Sequence, residues 1–171
     1  MTDAILPDVL APGLAVVFCG TAAGTRSARE GAYYAHPGNM FWRTLHGTGL
    51  TPRLLAPAEF PLAPSLGFGL TDLSKHHFGN DNELPVGAFD VAGLREKIER
   101  FRPGILAFTS KHAGRSALGA AADYGWQDIT WEGTRLFVLP SPSGQARRSW
   151  NIAMWQALAD AVLAHSPGTE R

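Results

Sequence analysis

Little sulfur and no charge imbalance mark this 171-residue chain: one cysteine, Cys19, and 15 basic against 15 acidic residues, for a formal net charge of zero. A lone cysteine excludes an internal disulfide and a cysteine-built metal centre; inside the apolar run LAVVFC it reads as a small buried hydrophobe. Neutrality excludes a field over the whole protein that would gather a polyanion, so any nucleic-acid footprint has to be local. No stretch approaches the roughly 18 consecutive apolar residues of a membrane-spanning helix. The opening MTDAILPDVLAPG lacks the basic and apolar regions of a signal peptide. A protein of the reducing cytoplasm, without membrane contact, is expected. Neither G-x-x-x-x-G-K-[ST] nor G-x-G-x-x-G occurs, which removes two common nucleotide cradles. His76 and His77 are adjacent, with no cysteine or spaced histidine as partner, so a metal site is not expected.

What is present is loop chemistry between short apolar runs. Nineteen glycines and 12 prolines mark many tight turns, without a repeat or a low-complexity block. The runs at 14–19, 104–109 and 136–139 lack alternation and are separated by helix-like stretches, as parallel strands covered on both faces would be; 67–73, GFGLTDL, reads as a fourth, glycine-weakened strand. Three- and four-residue spacing predicts helices over 90–101 and 149–165. Shorter ones are predicted over 40–46, with Asn39 as N-cap, and over 111–122. The expected fold is therefore α/β: one domain over 1–171, with a central, mainly parallel four-stranded sheet and a loose tail at 166–171. The loops leaving the strands' carboxyl ends are GTAAG, LTDL, TSKH and PSPSGQARR, and that edge is where open α/β sheets bind ligands.

Five blocks in register, VVFCGTAAG, YYAHPGNMFW, GFGLTDL, RPGILAF and LPSPSGQAR, resemble the mismatch-specific uracil/thymine DNA glycosylases of the uracil-DNA glycosylase superfamily. The resemblance covers residues 5 to about 160. It implies a three-layer α/β/α sandwich and a monomeric enzyme of base excision repair that flips a damaged base from DNA and cleaves its glycosidic bond without metal or cofactor. Uracil-containing DNA, or DNA with related lesions, would be the partner, abasic DNA the product, and the nucleoid the place of work. The chain departs from the pattern in its opening turn. The family's G-x-N-P-G supplies an asparagine that positions the attacking water, whereas here Ala22 stands at that place and Ala23 replaces the proline. The second motif, commonly N-P-S-G or M-P-S-S, begins with Ser141.

Hydrolysis of an N-glycosidic bond needs donors near the leaving base and a carboxylate or carbonyl near the sugar. The amides of Gly20, Thr21 and Ala22 can donate to a pyrimidine whatever side chains they carry. With Ala22 unable to hold water, Asp72 becomes the candidate to orient or deprotonate it, against the plainer alternative of a turn-forming aspartate. Asn39 is the rival, since the same asparagine serves in related hypoxanthine-type glycosylases with a YYAHP-x-N-x-FW block; its plainer alternative is a helix cap. Tyr34 matches the aromatic that stacks on the flipped base, while Tyr33 packs inward. Ser27 matches a position near the base, and His36 reads as a loop histidine. In the last block Gly144, Gln145, Ala146 and Arg147 stand where the family places its wedge, with Ser143, Arg148 and Lys111 as phosphate contacts. Two other classes compete: a module that binds uracil or abasic DNA without chemistry, because of Ala22, and a nucleotide-binding α/β protein that uses GTAAG as an anion cradle.

Overall fold

The computed structural model describes residues 4–164; the expected tail at 166–171, and the last residue of the helix expected over 149–165, lie outside the described residues. Five strands form one sheet in the order β2-β1-β3-β5-β4. β1 (Val16–Gly20) pairs in parallel with β2 (Phe68–Asp72) and with β3 (Ile105–Phe108), and β3 pairs in parallel with β5 (Thr134–Val138). All of β1, β2 and β3 is buried, which is why β1 and β3 read as unbroken apolar runs, while β2 carries Gly69, Thr71 and Asp72.

The fifth strand corrects the four-strand expectation. β4 (Gly125–Trp131) pairs antiparallel with β5 at the sheet edge. Most of it is solvated, so WQDITW carries no apolar run for the eye to catch. A two-residue turn joins the pair: Glu132 (φ 49°) and Gly133 (φ 88°) both take the left-handed conformation that such hairpins demand.

Helices cover both faces. One layer holds α1 (Thr25–Glu30), α2 (Phe41–Gly47) and α5 (Ile152–Ala164), packed on Val16, Phe18, Phe68 and Leu70. The other holds α3 (Val91–Phe101) and α4 (Lys111–Leu118), packed on Val17, Cys19, Leu106 and Val138. Local sequence sets their limits. The Asp90 carboxylate accepts from the Gly93 amide to start α3, and Arg102 in the left-handed region, before Pro103, stops it. Ser110 caps α4, and Gly119 (φ 113°) ends it four residues short of the expected 122. Gly114 belongs inside α4 because a methyl there would lie 2.7 Å from Val138 Cγ2. α1 and a 3-10 segment, Pro57–Leu66, have no counterpart in the sequence expectations.

An aromatic group ties the first helical layer to the sheet. Phe18 meets Phe41 edge-on at 5.2 Å and stacks with Trp155 at 6.0 Å, and each fully buried ring contributes about 1.5–3 kcal/mol. The N-terminal segment lies along the outer edge of β2, where Val9 exchanges both backbone bonds with Leu70. Asp8 on that segment takes Lys75 at 2.9 Å, Lys97 at 2.7 Å and the Thr71 hydroxyl at 2.6 Å. Burial pushes the Asp8 carboxyl up, but these partners outweigh it and hold the group below its usual range.

Candidate active site

Parallel register places three residues side by side at the carboxyl ends of neighbouring strands. Asp72 ends β2 opposite Gly20, the last residue of β1. Thr109 follows β3, its amide donating to the Cys19 carbonyl at 2.9 Å, so it stands on the other side of Gly20. Because Gly20 lacks a side chain, oxygens of the neighbouring segments close into the narrow notch over its Cα. The point where its Cβ would sit is 2.8 Å from Asp72 Oδ1, 3.3 Å from Thr109 Oγ1 and 3.4 Å from the Tyr34 hydroxyl. Three oxygens from three separate segments thus face one spot. Asp72 is 6% exposed and Thr109 4%.

Burial dominates the electrostatics of the notch. It raises the Asp72 carboxyl to about 7; Lys75, Lys97 and the Gly20 amide pull the other way, and Asp8 adds to the rise. Tyr34 caps the row. Its hydroxyl bonds Thr109 Oγ1 at 3.1 Å, its ring stacks on Phe41 at 4.0 Å, and burial followed by the Asp72 charge keeps the phenol protonated. The backbone at Tyr34 is left-handed (φ 52°), a conformation that costs a bulky residue of order 1 kcal/mol or more. Ser27 is buried and its hydroxyl accepts from the Ala35 amide at 3.0 Å, so it anchors the loop that carries Tyr34. Tyr33 is buried, donating to the Pro7 carbonyl and accepting from Lys75.

Beside the notch, the glycine turn is held by side chains that leave its amides unused. The Thr21 hydroxyl donates to Asp81 and the Ala23 carbonyl accepts from Gly79. Among the described residues the amides of Thr21 and Ala22 donate to no acceptor. Ser74, whose amide donates to the Thr21 carbonyl at 2.7 Å, has a buried hydroxyl with no hydrogen-bond partner. Unmet donors therefore collect around Thr21, a state that costs about 1–3 kcal/mol for each fully buried group.

On the β5 side the loop 140–150 packs against the turn before α2. The Met40 amide donates to the Pro142 carbonyl at 2.8 Å, and Gly144 lies so close to Gly38 that a methyl there would stand 3.2 Å from its carbonyl. Asn39 is partly exposed and its Oδ1 accepts from the Phe41 amide at 2.9 Å, but the N-cap of α2 is Met40, one residue later than expected, so Asn39 braces the turn ahead of the helix. His36 Nδ1 accepts from the Gly38 amide. Ser141 Oγ accepts from the Ser143 amide, and Ser143 Oγ from the Gln145 amide, opening a 3-10 turn over Gly144–Ser149. Gln145, Arg147 and Arg148 are exposed, Ala146 is partly covered, and the two arginines have no ion-pair partner among the described residues. Lys111 is placed apart from them: its ammonium is 3.1 Å from Asp123 and 4.3 Å over the Tyr124 ring.

Asp72, Gly20 and Tyr34 are thus brought together, Asn39 and the 143–148 loop form a neighbouring wall, and Ser27 and Lys111 are engaged elsewhere. Thr109 is absent from the sequence expectations, although TSKH was marked as a binding-edge loop. Two hollows flank the row without including it. One, of about 450 Å³, is lined by Ile5, Thr25, Ala28, Arg29 and Phe78, and the other, of about 360 Å³, by Lys75, His76, His77 and Phe89. No group of three His, Cys, Asp or Glu among the described residues is placed to hold a metal ion.

Helices on both faces of a mostly parallel sheet, with the polar groups gathered at the strands' carboxyl ends, define the class of open α/β protein that binds at that edge. Residues 7–160 match the Uracil DNA glycosylase superfamily, and the chain belongs to that superfamily. Its fold is similar to a solution NMR structure from Methanosarcina acetivorans for which uracil DNA glycosylase is the proposed function: TM-score 0.65 and 24% identity, over 92% of this chain and 96% of that one. A DNA glycosylase role is the one this membership supports.

Proposed function

We propose that the chain is a monofunctional glycosylase that removes uracil from DNA, in the manner of the mismatch-specific uracil/thymine enzymes, with Asp72 serving the attacking water. The observation that carries this is the buried Asp72 carboxyl facing a side-chain-free notch, with its pKa raised to about 7. Near neutral pH such a group is balanced between accepting a proton and releasing it, which suits a general base. Once ionised, it also stabilises the positive charge that grows on the sugar as the base departs.

The remaining parts fall into place around it. Amides of Thr21 and Ala22 receive the base carbonyls, a role that tolerates alanine at 22 because the backbone does the work, whereas the Gly20 amide, expected to join them, is taken by the Asp72 carboxylate. Tyr34 has one ring face occupied by Phe41, so a flipped base stacks on the other. Entry requires the Tyr34–Thr109 hydrogen bond to open, since the tyrosine caps the row. Arg147 enters or lines the gap left in the duplex while Ser143 and Arg148 hold phosphates; unpairing and unstacking a base cost a few kcal/mol that these contacts offset. Asn39 is placed to steady the turn beside the site.

Incubating the protein with uracil-containing oligonucleotides, single-stranded and paired with A or G, should produce alkali-labile sites, and Asp72→Asn should nearly abolish them. A panel with thymine opposite guanine, hypoxanthine and xanthine defines the range. A second reading, a damage-binding module without chemistry, is favoured by the alanine at position 22. Band shifts with abasic DNA and no cleavage at excess protein would establish it in place of the enzyme.

A further inference from the structure

In the chemistry above Thr109 acts only as an anchor for Tyr34, yet its surroundings fit a larger part. Its hydroxyl is buried on a strand end, faces the same spot over Gly20 as Asp72 Oδ1, and makes two bonds that are not firm. One, to the Cys19 carbonyl, is long at 3.4 Å, and the other, to the Tyr34 hydroxyl, is the bond that must open for a base to enter. A threonine hydroxyl has one proton and two lone pairs. With its proton directed at the Cys19 carbonyl and Tyr34 swung away, Oγ1 keeps lone pairs free toward the notch.

We propose that Thr109 is a catalytic residue: together with Asp72 it holds the attacking water over Gly20. This rests on the glycosylase reading of the same site. Water bound to a carboxylate alone pivots about a single hydrogen bond, whereas a second acceptor takes its other proton and aims the oxygen lone pair at the sugar, and misplacement by about 1 Å costs on the order of 100-fold in rate. In the step itself the water oxygen bonds to the anomeric carbon, one water proton passes to the Asp72 carboxylate, and the glycosidic bond breaks with its electron pair leaving on the base. Thr109 gains and loses no proton overall. The arrangement also explains the glycine at position 20, since a methyl there would occupy the space in which the two oxygens meet.

Thr109→Val keeps the volume and removes the oxygen; Thr109→Ser keeps the oxygen. On uracil-containing single strands, T109V should lower kcat by roughly 10- to 100-fold with KM within about twofold. T109S should retain most of the rate, with equal urea midpoints showing that both variants fold. Tyr34→Phe, which removes the other hydroxyl, should lose less than T109V, and the double variant should lose more than either. A T109V rate equal to wild type overturns the proposal, and so does a Tyr34→Phe loss equal to that of T109V and of the double variant, for Thr109 would then only place the tyrosine. Should wild type release no base from any DNA, the glycosylase reading fails first. Crystals of the protein bound to abasic DNA, in which Tyr34 has left Thr109, then decide the water site: an ordered water bonded to both Asp72 and Thr109, missing in T109V, upholds it, and no such water in wild type overturns it.

Discussion

The carboxyl edge of the sheet has two ends built on different physical principles. At the β2 end Asp72, Gly20 and Thr109 are held by strand register, buried, and capped by Tyr34. At the β5 end the 143–148 loop is a solvated 3-10 turn with two arginines unpaired among the described residues, tied back through Pro142 and Gly38. One end is dry and rigid, where charge is costly and strongly felt; the other is wet and cationic, where charge is screened. A protein with zero net charge can still engage DNA if its cations stand at the rim and its buried acid stands inside. The comparison teaches that substitutions at the dry end should change rate and pH behaviour, and those at the wet end affinity and salt dependence.

The largest effect should come from Asp72→Asn. Loss of a general base costs about 10²–10⁴-fold, so kcat in single-turnover base release should fall by that order with little change in DNA affinity. In wild type the same rate should rise with pH to a plateau, with its midpoint near the folded pKa of about 7. Stability moves the opposite way. Unfolded, the carboxyl ionises near 4, so between about 4 and 7 the folded state holds the extra proton. Stability is full below that window and falls through it by about 4 kcal/mol in total. Urea denaturation should show this decline in wild type and lack it in Asp72→Asn, leaving the variant the more stable of the two at pH 8.

Gly20→Ala comes next. Its methyl would lie 2.8 Å from Asp72 Oδ1, so either the carboxylate shifts or the strand does. Overpacking of this kind costs about 1–3 kcal/mol, and the rate should fall at least tenfold, the loss expected from a displaced catalytic group. At the wet end, Arg147→Ala and Arg148→Ala should each weaken DNA binding and lower the slope of log affinity against log salt by about 1, with kcat nearly unchanged at saturating DNA. Asn39→Ala should be the mildest: loss of the bond to the Phe41 amide removes ~1 kcal/mol of stability and a few-fold in activity. A loss at Asn39 exceeding that at Asp72 would reverse the comparison and move the chemistry to the turn before α2.

Much of this edge is legible in the chain alone, because unbroken apolar runs reveal buried parallel strands and the residues that follow them must stand at one edge. Asp72 and the glycine turn are found that way, and Tyr34 only through the resemblance to the glycosylases. Thr109 is found by neither, since its place beside Gly20 depends on the register between β1 and β3, which no local pattern encodes. The ion pair of Lys111 is hidden for a similar reason: its partner Asp123 lies twelve positions on, across a helix end. β4 escapes because its outward face is polar, although the Glu-Gly pair at 132–133 is a hairpin signal that a strand search could use.

The strip of chain along β2 has a further consequence. Val9 satisfies backbone groups that would otherwise line a naked sheet margin, and Asp8 pairs with two ammonium groups beside it. Trimming the first ten residues would therefore uncover a template for intermolecular strand pairing. Such a shortened chain should self-associate in solution, with the trouble arising far from the 143–148 loop and on the very strand that ends in Asp72.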